Sequence, residues 1–434
     1  MNRAMSTVRY ASPSAVGRVL GRVGGHVPAL LREVNFRRYW SAQTISFMGD
    51  QVSMIALPFV AIAVLDASVQ QMALLSAALT APYLILSIHA GAVVDALGRH
   101  RTTMVSMDVV RAVLLLSIPV AYLFGVLTMT QLYLVALLAT AHSVVFNVAT
   151  KGLFATLVPR TSYVSAASLT KGSFSFSWVA GPSLGGALVQ MLTAPVAIVV
   201  DVASYLASAV LLRSISVDEP ARDRSGRARV REGLSFVWRT TTLRVKVIAG
   251  ALLNLFYSVY FTLLIVFAVR ELGLSAGIVG LAIGVGAVGA LSGTVVTPRI
   301  TRRIGLGATF ILGSLVYPAA LVLVPVADGD RWLAFGLLAT AEFVSSVGLM
   351  MCDISGSSIQ QALTPDRFRA RVQGAYMAVV YGTRPVGALL AAGLGAWLGL
   401  RTAMLIAVIG GVLSVLPLLW SPIAGMRELP AQAD

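Results

Sequence analysis

Charge is scarce in this chain. Asp, Glu, Lys and Arg make up 12% of its 434 residues, about half of what a soluble domain uses to cover its surface, and a soluble globular protein is excluded. Cysteine is almost absent: the single Cys352 rules out an internal disulfide and a cysteine-cluster metal site, and reads as a small buried side chain. The four histidines, His26, His89, His100 and His142, show no zinc-ligand spacing and no nucleophile beside them. No GxxxxGK[ST] phosphate loop occurs, which excludes direct use of ATP. A GxGxxG pattern at 284–289 lies inside the apolar run "GIVGLAIGVGAVGALSG". It follows no strand, so close helix packing explains it better than a dinucleotide. No cofactor and no metal are expected.

What the chain does have is apolar length. It is 57% hydrophobic, with a mean hydropathy of +0.84. Many runs reach the ~18–20 residues that a helix needs to cross a ~30 Å hydrocarbon core. Stretches such as "MALLSAALTAPYLILSIHAGAVV" do not alternate as the strands of a membrane barrel would. The expected fold is an all-α membrane protein. Runs and breakers predict twelve spans, near 41–65, 70–95, 102–125, 130–158, 162–191, 194–213, 244–269, 275–298, 304–327, 331–361, 367–397 and 400–421.

The formal charge of +15 is read against that count as loop charge, not as a nucleic-acid surface. Of the 33 Lys and Arg, 26 fall on one side of the twelve spans; Arg270, Arg331 and Arg401 fall on the other, and Arg111, Lys151, Lys171 and Arg384 lie within spans. Basic loops stay in the cytoplasm, which predicts both termini inside a plasma or inner membrane. Residues 1–40 form a basic tail without a signal-peptide core, with a surface helix near 27–37. The bundles are 41–213 and 244–421, separated by a basic linker at 214–243 and followed by a short tail at 422–434. The linker sequence "VDEPARDRSGRARVREG" is either a solvated connection or a flat helix on the anionic inner leaflet.

The two halves echo one another. Gly91-Ala-Val-Val recurs as Gly293-Thr-Val-Val, and the LVP ending at Pro159 recurs as the LTP ending at Pro365. Two landmarks with nearly one offset indicate parallel copies of a six-span unit.

At these residues a family becomes recognisable. "GAVVDALGRHR" resembles the loop motif between the second and third helices of the major facilitator superfamily, through Gly91, Asp95, Gly98, Arg99 and Arg101. His100 stands in place of a basic residue, and Thr297 replaces the second-half aspartate. "GPSLGG" resembles the superfamily's antiporter motif through Gly181, Pro182, Gly185 and Gly186. "NFRRYWSAQTISFMGDQVSMIALPFVA" and the Asp108/Arg111 pair resemble the exporter branch that includes macrolide-efflux and enterobactin-exporter proteins. The resemblance implies two six-helix bundles around a central cavity, gated mainly by the first-half loop and sealed by the kinked fifth span. There Pro182 removes a backbone hydrogen bond and the glycines admit a neighbouring helix.

Ionisable groups inside a bilayer are functional by default. Asp50 and Glu342 fall near mid-depth, at ~1.5 Å per residue, and are the expected proton carriers: low dielectric favours the neutral acid until water arrives. Asp108 and Arg111 share a helix face as a structural ion pair or as part of the gate. Lys151 and Lys171 lie near the inner ends of spans 4 and 5, and Asp353 at matching depth in span 10. They either pair across the halves or, for the lysines, snorkel. Arg384, beside Pro385, is too deep to snorkel and should meet a carboxylate or face the cavity. Asp201 reads as a helix-end or packing group.

The expected function is a proton-coupled antiporter exporting small hydrophobic compounds such as drugs, antibiotics or secreted metabolites, with direction resting on the family motifs alone. Its partners are substrate, protons and lipid, not nucleic acid, and it acts as a monomer. Alternatives are a siderophore-type exporter, an importer or uniporter of the same fold, and a non-transporting receptor or scaffold. No enzyme chemistry is expected.

Overall fold

The computed structural model describes residues 29–86, 94, 99–159, 162–217, 230–365 and 368–428. Its long helices are α1 (Val34–Phe59), α2 (Val69–Leu86), α3 (His100–Leu123), α4 (Met129–Leu157), α5 (Tyr163–Leu192), α6 (Ala194–Arg213), α7 (Thr241–Arg270), α8 (Ala276–Ile304), α9 (Leu306–Ala319), α10 (Arg331–Leu363), α11 in two pieces (Arg369–Gly382 and Arg384–Leu398), and α12 (Leu400–Leu413). No strand occurs among the described residues. Eleven of these helices are long and apolar enough to cross a membrane; α5 is the exception. Its first half, "YVSAASLTKGSFSFSW", is rich in hydroxyls, and it packs against α1 and α8 at the molecule's centre.

Boundaries moved where local chemistry decided them. α1 begins at Val34, seven residues before the apolar run, because Phe36 and Tyr39 are buried on a cluster with Leu153 and Leu212. The surface helix expected at 27–37 is a single 3-10 turn, Ala29–Arg32, leading into α1. α1 ends in a π-helical turn, Val60–Val64, just after Pro58, a common response to a missing backbone donor. α11 breaks at Thr383, ahead of Pro385. Backbone carbonyls near the break are partnered: Ser258 Oγ donates to the carbonyl of Arg384 at 2.7 Å, and Thr383 Oγ1 donates to that of Ala251 at 3.1 Å. The described part of the linker contains one helix, Val230–Arg239. It rests on α11 by stacking Phe236 on Phe368 at 5.1 Å and burying Val237.

The internal repeat is visible in the packing. In the first half α1 packs on α6 and α5, α3 on α6 and α4, and α2 on α4. In the second half the same pairings recur as α7 on α12 and α11, α9 on α12 and α10, and α8 on α10. The halves meet through α2 with α11 and α5 with α8, two contacts that exchange under the same repeat. Turns at the end away from the basic loops repeat too. Asp66, Gly125 and Thr193 have positive φ in the first half, and Gly273, Gly329 and Gly399 have it in the second. Asp66 and Thr193 thus occupy left-handed positions where the other copy uses glycine.

Candidate functional site

Gly181, Pro182, Gly185 and Gly186 of the GPSLGG segment of α5 are buried, and the segment grips two helices at once. A Cβ on Gly181 would lie 2.3 Å from Gln51 Cγ, and one on Gly185 3.0 Å from the Gln51 carbonyl, both on α1. On the other side, a Cβ on Gly186 would lie 2.5 Å from the Ala276 carbonyl, and one on Gly280 2.4 Å from the carbonyl of Pro182. The glycine-rich run of α8 serves two neighbours: Gly280 and Gly284 face α5, while Gly286, Gly289 and Gly293 face Glu342, Phe343 and Met350 on α10. Close backbone approach explains each. Polar contacts finish this seal. Gln190 Oε1 accepts from Ser275 Oγ at 2.9 Å and from the Gly277 amide at 3.1 Å. Arg270 donates to Asp66 at 2.7 Å and to the Ala67 carbonyl at 2.9 Å.

At the basic end α1 and α5 instead border an open cleft of about 800 Å³, lined by Trp40, Thr44, Ser168, Gly172, Ser173 and Phe176 among others. Phe47, Phe174 and Trp178 continue it inward as an aromatic ladder, with ring centroids 5.1 and 6.1 Å apart. Phe174 and Trp178 are exposed.

The first half holds a buried charge cluster. Asp108 and Arg111 form an ion pair on α3 with side chains 0% and 2% exposed. The guanidinium lies between the rings of Phe146 and Tyr205, 4.5 and 4.1 Å from their centroids, and donates to Ser143 Oγ at 3.2 Å. The Tyr205 hydroxyl donates to Asp50 Oδ1. Asp201 is 0% exposed and accepts from Ser53 and Ser204. Of the two sequence readings of Asp201, helix end or packing group, the second fits: it is buried against Gly49 of α1. The missed signal was a polar stripe on α6: Asp201, Ser204, Tyr205 and Ser208 stand at i, i+3, i+4 and i+7, one face of a helix.

In the second half Glu342 is half-buried on α10, within electrostatic reach of Tyr257, Tyr260 and Tyr317. Arg384 is half-buried at the break in α11; its Nε donates to Asn254 Oδ1 at 3.1 Å and its guanidinium covers the Tyr381 ring at 4.5 Å. Among the described residues no carboxylate forms an ion pair with it. Tyr83 of α2 feels Asp50 and Arg111 from one half and Arg384 from the other, so the two charged regions face each other.

Other expected site residues lie apart. Lys151, Lys171 and Asp353 are exposed, and among the described residues no ion pair joins them. Gly91, Asp95 and Gly98 lie outside the described residues. Arg99 is exposed, and Arg101 donates to the Ile215 carbonyl after α6. Lys246, counted in sequence among the 26 basic residues of the loop side, is buried in α7. It donates to Gln360 Oε1 at 2.7 Å under the Tyr376 ring. Among the described residues no group of His, Cys, Asp or Glu side chains is placed to hold a metal ion.

Comparisons place this arrangement. The sequence profile of the Major Facilitator Superfamily matches residues 39–382. The multidrug efflux pump Tap of Mycolicibacterium fortuitum is 27% identical over 385 residues, covering 82% of this chain and 88% of the relative. An uncharacterized MFS-type transporter of Bacillus subtilis, YfiS, is 24% identical over 84% of this chain and 88% of its own. Among solved structures, the inward-facing state of a bacterial homologue of the iron transporter ferroportin superposes with a TM-score of 0.69 at 18% identity, covering 90% of this chain and 98% of the other. Its outward-facing state gives 0.54. The nucleoside transporter NupG gives 0.68 at 13% identity, covering 88% and 98%. The chain belongs to the Major Facilitator Superfamily and is a multi-pass membrane transporter, not an enzyme.

Proposed function

We propose that this transporter is a proton-driven exporter of small, largely hydrophobic compounds, working as a monomer in the cell membrane with both termini in the cytoplasm. The observation that carries the reading is the asymmetry between its two ends. One is sealed by glycine packing and by Asp66–Arg270; the other opens into a cleft lined in part by Trp40 and Phe176, next to the contacting rings of Phe47, Phe174 and Trp178. An aromatic wall suits apolar cargo entering from the basic side. Basic loops mark that side as cytoplasmic. The name of the Tap relatives, multidrug efflux pump, agrees with that direction.

In this reading the units 41–213 and 244–421 rock about the α2–α11 and α5–α8 contacts. Asp50 and Glu342, half-buried on either side of the centre, exchange a proton for cargo as water reaches them alternately from each end. Asp95 with Arg99 and Arg101 acts as the inner latch, and Lys151 and Lys171 approach Asp353 when that side closes. Arg384 faces the cavity with Glu342 and orients polar groups of the cargo.

The test uses proteoliposomes with ethidium as probe. Uptake into inside-out-oriented protein should follow an imposed pH gradient, collapse with an uncoupler, and lose its gradient response in Asp50→Asn combined with Glu342→Gln. Flux indifferent to all three removes proton coupling through these residues.

A further inference from the structure

The packing of α6 against α1 brings a second carboxyl group to Asp50. Asp201 and Tyr205 are one turn apart on α6. Tyr205 donates to Asp50 Oδ1, and Asp201 sits against Gly49, where a Cβ would lie 2.3 Å from Asp201 Oδ1. The neighbour of Asp50 in sequence is thus the contact of Asp201 in space. Among the described residues, every hydrogen bond that the two carboxyls accept comes from a hydroxyl: Ser53 and Ser204 for Asp201, and Tyr205 for Asp50.

The charges around this pair do not balance. α1 contributes Asp50, α3 contributes Asp108 and Arg111, and α6 contributes Asp201 and Tyr205. α5, which also packs on α6, brings no ionisable side chain to this depth; its Tyr163 and Lys171 lie in its first three turns. From α2, Tyr83 faces Asp50 and Arg111. Among the described residues three carboxyls therefore share one guanidinium, and Arg111 is already committed to Asp108. Its Nε is buried without a hydrogen-bond partner, so the cation is not saturated and stays oriented within the cluster. Two neighbouring carboxyls held only by hydroxyls, one of them fully buried, do not both ionise.

We infer that Asp50 and Asp201 form one carboxyl pair holding a single proton in common, with Asp50 the more accessible member and Asp201 the buried reservoir. Such a pair titrates as a unit. Tyr205 links it to Arg111, since its hydroxyl is on Asp50 and its ring on the guanidinium. Loss of the proton therefore reaches the α3 ion pair directly. The inference rests on the proton-coupled reading only for its role in transport; the shared proton stands or falls separately.

Infrared difference titration of the full chain in phosphatidylcholine–phosphatidylglycerol nanodiscs tests it without any cargo. Beside the band of Glu342, which neither variant removes, the expected result is one titrating protonated-carboxyl band that is lost in Asp50→Asn and lost equally in Asp201→Asn, with the double variant losing no more. A band of unchanged amplitude and midpoint in Asp201→Asn overturns the pair. If Asp201→Asn does not yield monodisperse protein, Ser53→Ala takes its place. It removes a donor to the ionised carboxyl and should move the titration toward higher pH; no movement overturns the proposal. Ethidium flux on the same preparations separates the two readings. Wild-type flux indifferent to a pH gradient, with the shared band intact, defeats proton-driven export and leaves the pair. A band absent from the wild type defeats the pair whatever the flux.

Discussion

Arg270, the last residue of α7, donates to the Asp66 carboxylate at 2.7 Å and to the Ala67 carbonyl at 2.9 Å, tying the second half of the chain to the turn after α1. Asp66 is 96% exposed and Arg270 34%, so the pair is worth no more than about 1 kcal/mol. That is still about fivefold in an equilibrium between sealed and open ends. Arg270→Ala should raise maleimide labelling of Ala276→Cys, in a Cys352→Ser background, by up to about fivefold with little change in melting temperature. An unchanged labelling rate removes the latch.

Gly280 and Gly284 both face α5, but they meet different obstacles. A Cβ on Gly280 would press on the Pro182 carbonyl at 2.4 Å, which is backbone and cannot turn aside. One on Gly284 would meet Ser183 Oγ, which can rotate. Gly280→Ala should therefore destabilise the protein by about 1–3 kcal/mol through overpacking, and Gly284→Ala by clearly less. Thermal unfolding in detergent compares them directly; equal effects would mean that helix separation does not decide the seal.

Among the described residues Arg111 is the single cation of the buried first-half cluster. Arg111→Ala strands Asp108 in the protein interior and should cost about 3–5 kcal/mol. Arg111→Lys should recover only part, because a lysine cannot lie flat against both Phe146 and Tyr205. Asp108→Leu with Arg111→Met should restore much of the melting temperature while leaving flux impaired. Full recovery of flux in the double variant would reduce the pair to packing.

Thr193 adopts φ 76° and ψ 154° between α5 and α6, where the repeat-related turn uses Gly399 at φ 79° and ψ 164°. A β-branched residue there is strained by about 1–3 kcal/mol. Thr193→Gly should stabilise by about 1 kcal/mol once the extra freedom of glycine in the unfolded chain is discounted, and Gly399→Thr should destabilise. Melting temperatures of the two variants moving in the same direction would refute the strain.

Crossing a bilayer is a local demand, met helix by helix, so apolar length and the sidedness of Lys and Arg determined the twelve helices before any contact was known. The GPSLGG and GIVGLAIGVG runs likewise announced close packing, because a missing side chain has the same meaning in any fold. Even α5, the least apolar span, was legible from its breakers. What the sequence could not express is which polar faces meet. Asp201 looks like a helix-end or packing group until α6 lies against Gly49 and sets it beside Asp50. Lys246 looks like one more charge of the basic side until Gln360 and Tyr376 close over it. Arg384 invites a carboxylate and finds Asn254 and Tyr381. Apart from Tyr381, one turn from Arg384 on the same helix, these pairings join residues more than a hundred positions apart. They depend on the rotation of each helix about its axis, which many weak contacts set together and no single stretch of sequence encodes.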